Sequence, residues 1–430
     1  MKKKKLKHSV NYQKVKQMNK PVYLDYAASA PTTYWGWDFN TGTNYNSNQP
    51  YAISEQKQLK EAESIALEAL GSKTGHIIFG ANATIMGKYL ADLYGDFCEP
   101  CAISAFEHDC LAYIIKYASI SPFMFVGKTV EGLKRWLEEN KDEIKESNET
   151  CLPCPCIWMF CQNLTGEIFP VQEIGNLVHQ YGMHMVCDLT AGLHNEPVPD
   201  NIDDWCDIAI WSGAKVGAEK GTGGIWFSGR AWRAHCIGNE PSLHFGTPNV
   251  AQAMAQAQAI KHCQQTLAQR TGKNCPTGMQ WTGRYIESKW TVLWEHLIQG
   301  ISDIRSDYND IVKSFHWSVQ EFSLGIIGLY LPDINADAFQ QFASTRQVYF
   351  SVFHSACAGQ GDYRVAEAYG LTKEQAAHCI RLSFGYETDE QDIDRFIEVL
   401  KEFRDMFCSD GVCEAKKELA GRGIPVGLTK

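Results

Sequence analysis

The stretch from Trp205 to Phe227 ends an apolar run on a lysine. Ile208, Ala209, Ile210 and Trp211 read as a buried strand, small residues follow at Ser212, Gly213 and Ala214, and Lys215 comes next. An amine at the end of an apolar strand is open to desolvation, which lowers its pKa and makes it a nucleophile. Glycines at 217, 221, 223 and 224 then let backbone approach a bound anion or cofactor closely. A solvated lysine in an ordinary turn is the alternative, since lysine is usually exposed. Lys220, inside the glycine-rich turn, is the rival amine. Three further polar residues recur in the same setting. His108, Asn163 and Asp188 each follow a short apolar run of strand character.

The elements that would position these residues alternate along the chain. Strands are expected at Ile77 to Phe79, Ala102 to Ala105, Ile157 to Cys161, Met183 to Cys187 and Ile208 to Trp211. Between them lie helical patterns at Ser54 to Leu70, stopped by Gly71, at Ala83 to Tyr94, within 129–146, and around Ile174, Leu177 and Val178. Such alternation predicts an α/β fold, a mostly parallel central sheet with helices on both faces. In these sheets ligands bind beyond the carboxyl ends of the strands, which is where all four polar residues fall. Two longer helical patterns follow, at 250–268 and 284–299. After about residue 305 short strands (326–331, 348–353, 379–384) interleave with helices (335–344, 388–406), the pattern of a smaller α+β domain. Its last helix opens on Thr388 and Gln391, read as a capping box, and carries the stripe Ile393, Phe396, Ile397, Leu400 and Phe403. The expected organisation is a disordered basic tail over 1–20, a large domain over 21–300, a small domain over 301–407 joined by the N-terminal segment, and a polar tail over 408–430.

Bulk properties narrow the classes. A net charge of -10, with no sustained basic face, argues against a nucleic-acid platform. Lys2 to Lys5 lack a following apolar region, so they do not read as a signal peptide, and no run approaches the ~18 apolar residues of a membrane span. The 16 cysteines are then expected as reduced thiols in a cytoplasmic protein. Four of them stand as two CxxC pairs, Cys98 with Cys101 and Cys151 with Cys154, the spacing of a tetrahedral zinc site; free buried thiols are the alternative.

Eight segments in order, over roughly residues 20–405, resemble the NifS-like cysteine desulfurases, class V, fold-type I pyridoxal-phosphate enzymes. YLDYAASAPT, from Tyr23, is similar to the family's YLDNAATTP. ISAFEH, ending at His108, is similar to TSxIEH, and QNLTG, around Asn163, to SNxxG. VCDLT, around Asp188, stands where the family has VDxAQ, and SGAKVGAEKGTGG, around Lys215, resembles SGHKxxGPKGxG. FGTPN, SACAG and CIRLSFG complete the set, carrying Thr247, Cys357 and Arg381.

The resemblance implies a role for each residue. Lys215 would hold pyridoxal 5'-phosphate as a Schiff base and shuttle the Cα proton. Asp188 would pair with the pyridine nitrogen, Asn163 would bond the ring's phenolic oxygen and face the substrate, and His108 would stack on the ring and serve in proton transfer. Ala83 and Thr84, at a helix start, would hold the phosphate with Ser212, and Thr247 would reach the phosphate of the other subunit in a homodimer. Arg381 would clamp the substrate carboxylate. Cys357, in a small-residue loop, would take sulfur from L-cysteine as a persulfide, leave L-alanine, and pass the sulfur to an acceptor protein, as in iron-sulfur cluster assembly. Selenocysteine lyase or another class V lyase or aminotransferase activity is the alternative, as is a scaffold without activity. Some positions depart from the family pattern. Ala191 replaces a glutamine, Ala214 a histidine and Ile85 a glutamate; Leu164 is another variable neighbour, and His244 lies near a usual arginine. Each lost donor would cost cofactor binding about 1 kcal/mol. In the family's sheet the two CxxC-bearing strands are neighbours, so their starting ends would gather four sulfurs opposite the active site.

Overall fold

The structure, a computed structural model, describes residues 21–30, 47, 49–94, 100–112, 124–150, 152–235, 247–270, 289–311, 321–353 and 363–407. Its strands are β1 (Val22–Tyr23), β2 (His76–Gly80), β3 (Cys101–Ser104), β4 (Met124–Gly127), β5 (Pro155–Ile157), β6 (His184–Asp188), β7 (Ile208–Ser212), β8 (Gly223–Phe227), β9 (Asn309–Asp310), β10 (Ile326–Tyr330), β11 (Val348–Tyr349), β12 (Ser351–Val352) and β13 (Cys379–Ser383). The longer helices are α1 (Ile53–Leu70), α2 (Ala83–Tyr94), α3 (Val130–Glu139), α4 (Lys141–Thr150), α5 (Val171–His179), α6 (Val250–Arg270), α7 (Lys289–Ile304), α8 (Ala336–Ser344) and α10 (Glu390–Phe407); α9 (Arg364–Ala368) is a single short turn.

Seven strands form the main sheet in the order β2-β8-β7-β6-β5-β3-β4. The pairs from β7 through β6, β5 and β3 to β4 are parallel, and β8 runs antiparallel to both β7 and β2. Strands β6 and β8 are buried along their whole length, as expected of strands covered by helices on both faces. The mostly parallel sheet is therefore borne out. Four core tryptophans, Trp158, Trp205, Trp211 and Trp226, pack in its largest apolar cluster.

Local rules explain most helix limits. Helix α1 stops where Gly71 turns left-handed (φ 69°), and the amides of Gly71 and Ser72 satisfy the carbonyls of Glu68 and Leu67. Its Ala62 and Ala66 meet Ala253 and Ala257 of α6, a seam of small side chains that allows close helix approach. The one helix expected within 129–146 is two. Thr129 caps α3, and Asn140 ends it by donating from both its backbone amide and its side chain to the Trp136 carbonyl.

A four-stranded antiparallel sheet, β12-β13-β10-β9, forms a second core with α7, α8 and α10, centred on Phe339, Phe396 and Phe403. The single strand expected over 348–353 is broken at Phe350. Its first half, β11, pairs in parallel with β1 from the N-terminal segment, while β12 pairs with β13. The cap of α10 also differs from expectation. Asp389 and Asp392 exchange side-chain and backbone bonds at the helix start, and the Thr388 hydroxyl instead accepts the Gly385 amide. Among the described residues no helix is long and apolar enough to cross a membrane.

Candidate active site

The parallel register brings the four strand ends to one edge of the main sheet. Asp188 closes β6 and pairs with Ile210 of β7; two residues later Ser212 closes β7, and Gly213–Lys215 forms a single tight helical turn. That turn is pinned from below. The Gly213 amide donates to the Thr222 carbonyl at 2.8 Å, and a Cβ at Gly213 would stand 2.1 Å from Thr222 Oγ1, so the position takes no side chain. The turn delivers Lys215 to a half-buried position, where Nζ donates to the carbonyls of Ala27 (2.8 Å) and Ala28 (2.5 Å). Lys220, the rival amine, is exposed.

Asp188 is buried, with Oδ1 accepting the Thr190 amide at 2.8 Å and Oδ2 accepting the Cys110 thiol at 3.7 Å. His108 caps the short helical turn after β3, and its Nδ1 accepts the Cys110 amide at 3.1 Å. A ring nitrogen that accepts carries no proton, so neutral His108 is the Nε2–H tautomer. Burial drives its pKa down to about 4; Asp188 pulls upward, and Lys215, Arg364 and Arg381 push downward. His108 is thus neutral at pH 7, and it feels both the lysine and the aspartate. Glu107, next in sequence, is fully buried. Its Oε1 accepts the Met159 amide, replacing a ladder bond that β3 no longer offers once the chain has turned away. This explains why β5 is shorter than the expected Ile157 to Cys161, although the amides of Trp158 and Phe160 still donate to the Val186 and Asp188 carbonyls of β6. Burial, then the Asp188 charge, pushes the Glu107 carboxyl well above its usual range.

Asn163 sits in a turn built by Gln162. The buried Gln162 accepts the amides of Leu164 (2.5 Å) and Thr165 (3.1 Å) and donates to the Phe106 carbonyl and to Asn163 Oδ1. The Asn163 carbonyl accepts from Arg381 Nη1 at 3.1 Å. Arg381 reaches this edge from β13 of the small sheet. Its Nη2 donates to Asp25 Oδ1 (2.6 Å) and Ser351 Oγ (2.8 Å), and Nε is a buried donor without an acceptor among the described residues. Both Nη2 protons are engaged, so a carboxylate gripping two parallel donors must displace Asp25 or Ser351.

The start of α2 lies beside Ser212. Asn82 caps the helix by accepting the Ile85 amide at 3.0 Å, which leaves the first-turn amides of Ala83 and Thr84 without intrahelical acceptors. Gly223, the cross-strand partner of Ser212, touches this cap: a Cβ there would fall 2.6 Å from Asn82 Cα. The cap, Ser212 and the helix start form a cradle suited to an anion. Thr247 is exposed just before α6. Of the altered positions, Ala191 gives its carbonyl to Asn195 and Ala214 to the Ala30 amide, while Leu164 is buried and Ile85 exposed. Cys357, His244, Cys98 and Cys151 lie outside the described residues. Strands β3 and β5 are neighbours, so Cys101 and Cys154 do share the starting edge. Both are buried, and Cys154 bonds Ser147 Oγ. Among the described residues no group of three potential metal ligands is found.

Asp25, Glu107 and Gln162 lie inside the matched segments but are assigned no role by the resemblance, and Cys110 and Arg364 lie outside them. Arg364 donates to the carbonyls of Ala105 and Glu107 and to Asp109, fastening α9 to the turn that carries His108. An amine, an imidazole and a carboxylate along one sheet edge, with an anion cradle beside them and the Thr190 hydroxyl buried without a partner among the described residues, fit a phosphorylated aromatic aldehyde such as pyridoxal phosphate.

The family model described as aminotransferase class-V matches residues 143–396, more than half of the chain. Cysteine desulfurase IscS of Rickettsia akari (strain Hartford) is 25% identical over 229 residues, covering 50% of this chain and 54% of that protein. The protein of the same name from Rickettsia typhi is 23% identical over 230 residues, covering 50% and 54%. The chain spans about half the length of the curated relatives it matches. Among solved structures, a NifS-like protein from Rickettsia africae ESF-5 superposes with a TM-score of 0.71 at 19% identity, covering 90% of this chain and 100% of the other. The apo structure of a cysteine desulfurase from Thermococcus onnurineus NA1 gives 0.66 at 14% identity, covering 90% and 95%. These likenesses establish the shared fold.

Proposed function

Because this chain belongs to the aminotransferase class-V family, we propose that it is a pyridoxal-phosphate-dependent cysteine desulfurase that converts L-cysteine to L-alanine and leaves the sulfur on Cys357 as a persulfide. The observation that carries this reading is the gathering of Lys215, His108, Asp188 and the Asn163 turn on one sheet edge, with Arg381 arriving from the second sheet. When bound, pyridoxal phosphate supplies the electron sink that makes bonds at Cα and Cβ of an amino acid breakable. The chain's own residues do the rest. Lys215, which here donates to the Ala27 and Ala28 carbonyls, would anchor the cofactor and carry the Cα proton. Asp188 would hold the ring nitrogen in its protonated state, and neutral His108, with its proton on Nε2, would pack on the ring. Arg381 would grip the substrate carboxylate by giving up Asp25 or Ser351, and Asn163 would face the ring's phenolic oxygen. The Cys357 thiolate forms a bond to the substrate sulfur as the Cβ–S bond breaks; the electron pair stays with the carbon, which takes up a proton to become the methyl group of alanine. Ala83, Thr84 and Ser212 would seat the phosphate.

A homodimer in which Thr247 reaches the other subunit's phosphate, a sulfur-acceptor protein and a cytoplasmic setting belong to the same proposal. The test is L-cysteine-dependent alanine formation, with mass analysis for a persulfide on Cys357. Lys215→Ala should lose cofactor absorbance and turnover together, whereas Cys357→Ala should keep the absorbance and release no sulfide. Full activity in Cys357→Ala would show that the nucleophile is misassigned. The changes at Ala191 and Ala214 favour a second reading, a scaffold without activity, and a purified protein that takes up no pyridoxal phosphate would support it.

A further inference from the structure

One residue touches three parts of this edge. The backbone amide of Cys110 donates to His108 Nδ1 at 3.1 Å, its thiol lies 3.7 Å from Asp188 Oδ2, and its carbonyl abuts Gly87 of α2 so closely that a Cβ there would stand 2.1 Å away. Cys110 is buried, and Asp188 with it. We propose that Cys110 is a positioning residue that locks Asp188, His108 and the α2 helix into one unit, its thiol donating to the carboxylate; the inference rests on the cofactor site proposed above.

The chemistry of the contact has a fixed sense. Burial first, then the charge of Asp188, keeps the thiol protonated, so it donates and the carboxylate accepts. With Oδ1 bound to the Thr190 amide and Oδ2 to the thiol, both oxygens of Asp188 are held in place and one lone-pair direction of Oδ2 remains for a ring N–H. The same residue fixes which nitrogen of His108 carries the proton, because its amide occupies Nδ1. Gly87 contributes by having no side chain. It lets α2, whose first turn forms the anion cradle, press directly on the Cys110 carbonyl. A shift at residue 110 would therefore move the aspartate, the histidine and the helix together.

The test needs no bound cofactor. The S–H stretch falls in a clear infrared window, and the difference spectrum of wild type minus Cys110→Ala isolates this one thiol among 16 cysteines. The band should stand at the lowered frequency of a thiol bonded to a carboxylate, and it should rise when the same difference is taken in an Asp188→Asn background. A band at the free-thiol position, or one that ignores Asp188→Asn, overturns the proposal. Titration with pyridoxal phosphate, followed by absorbance, gives the second arm. Cys110→Ala, which keeps the backbone amide on His108, should bind it about fivefold more weakly, the scale of one lost hydrogen bond. Unchanged affinity in a protein that binds pyridoxal phosphate would also overturn it. If wild type takes up none, the proposed function fails, and the infrared comparison still decides the role of Cys110.

Discussion

Removing Asp25 should expose how the N-terminal segment is held to the small sheet. Arg381 is 1% exposed on its side chain and Asp25 17%, and their 2.6 Å contact joins the N-terminal segment to β13. The Asp25→Ala variant would leave a buried guanidinium with only the Asn163 carbonyl and the Ser351 hydroxyl as acceptors. Breaking a buried pair from one side costs about 3 to 5 kcal/mol. The remaining access around Asp25, and the two acceptors left behind, put this case at about 3 kcal/mol. Asp25→Asn keeps an acceptor and should cost less. In Arg381→Met the charge is gone, so the double variant should cost less than the sum of the single ones by about 2 kcal/mol. Urea unfolding followed by both tryptophan fluorescence and circular dichroism measures each value and checks that the transitions coincide. A cost under about 1 kcal/mol for Asp25→Ala, or strict additivity in the double variant, would refute the idea that this pair is a buried, mutually dependent clasp.

Further outcomes follow from other buried groups. Burial would raise the Asp207 carboxyl, but the bond to His179 and the charges of His184, His179 and Arg230 outweigh it and hold the group at about 2, below its ordinary 3.8. Its contribution is present above pH 4 and lost as pH falls toward 2, so Asp207→Asn should remove about 2 kcal/mol of acid-dependent stability in pH-jump unfolding. Glu167 runs the other way. Burial raises it from 4.5 to about 7 against the pull of the Tyr369 hydroxyl, which donates to it at 2.6 Å. Its proton uptake stabilises the fold below pH 4.5, and that gain is lost as pH rises through 7, so Glu167→Gln should flatten up to about 3 kcal/mol of pH dependence in thermal melts taken from pH 4 to 8. Gly87→Ala puts a methyl group against the Cys110 carbonyl and should cost about 1 to 3 kcal/mol by urea unfolding; a neutral effect would mean that α2 shifts freely.

Periodicity and spacing along the chain were enough to read helices such as 83–94, whose bounds the structure reproduces, and α1, whose stop is written in Gly71. They also placed His108, Asn163, Asp188 and Lys215 after strands, because a parallel sheet lines up whatever follows each strand on one edge. Local signals failed where partners are distant. The Arg381 contact with Asp25 spans 356 residues and the thiol contact to Asp188 spans 78, and neither leaves a mark on the pattern of nearby residues. The break at Phe350 has the same origin, since β11 and β12 choose partners from opposite ends of the chain. So the sequence alone determined which residue types stand at the strand ends. Only the tertiary structure decided which of those groups share a hydrogen bond, because a bond's energy depends on separations of a few tenths of an ångström that chain spacing does not encode.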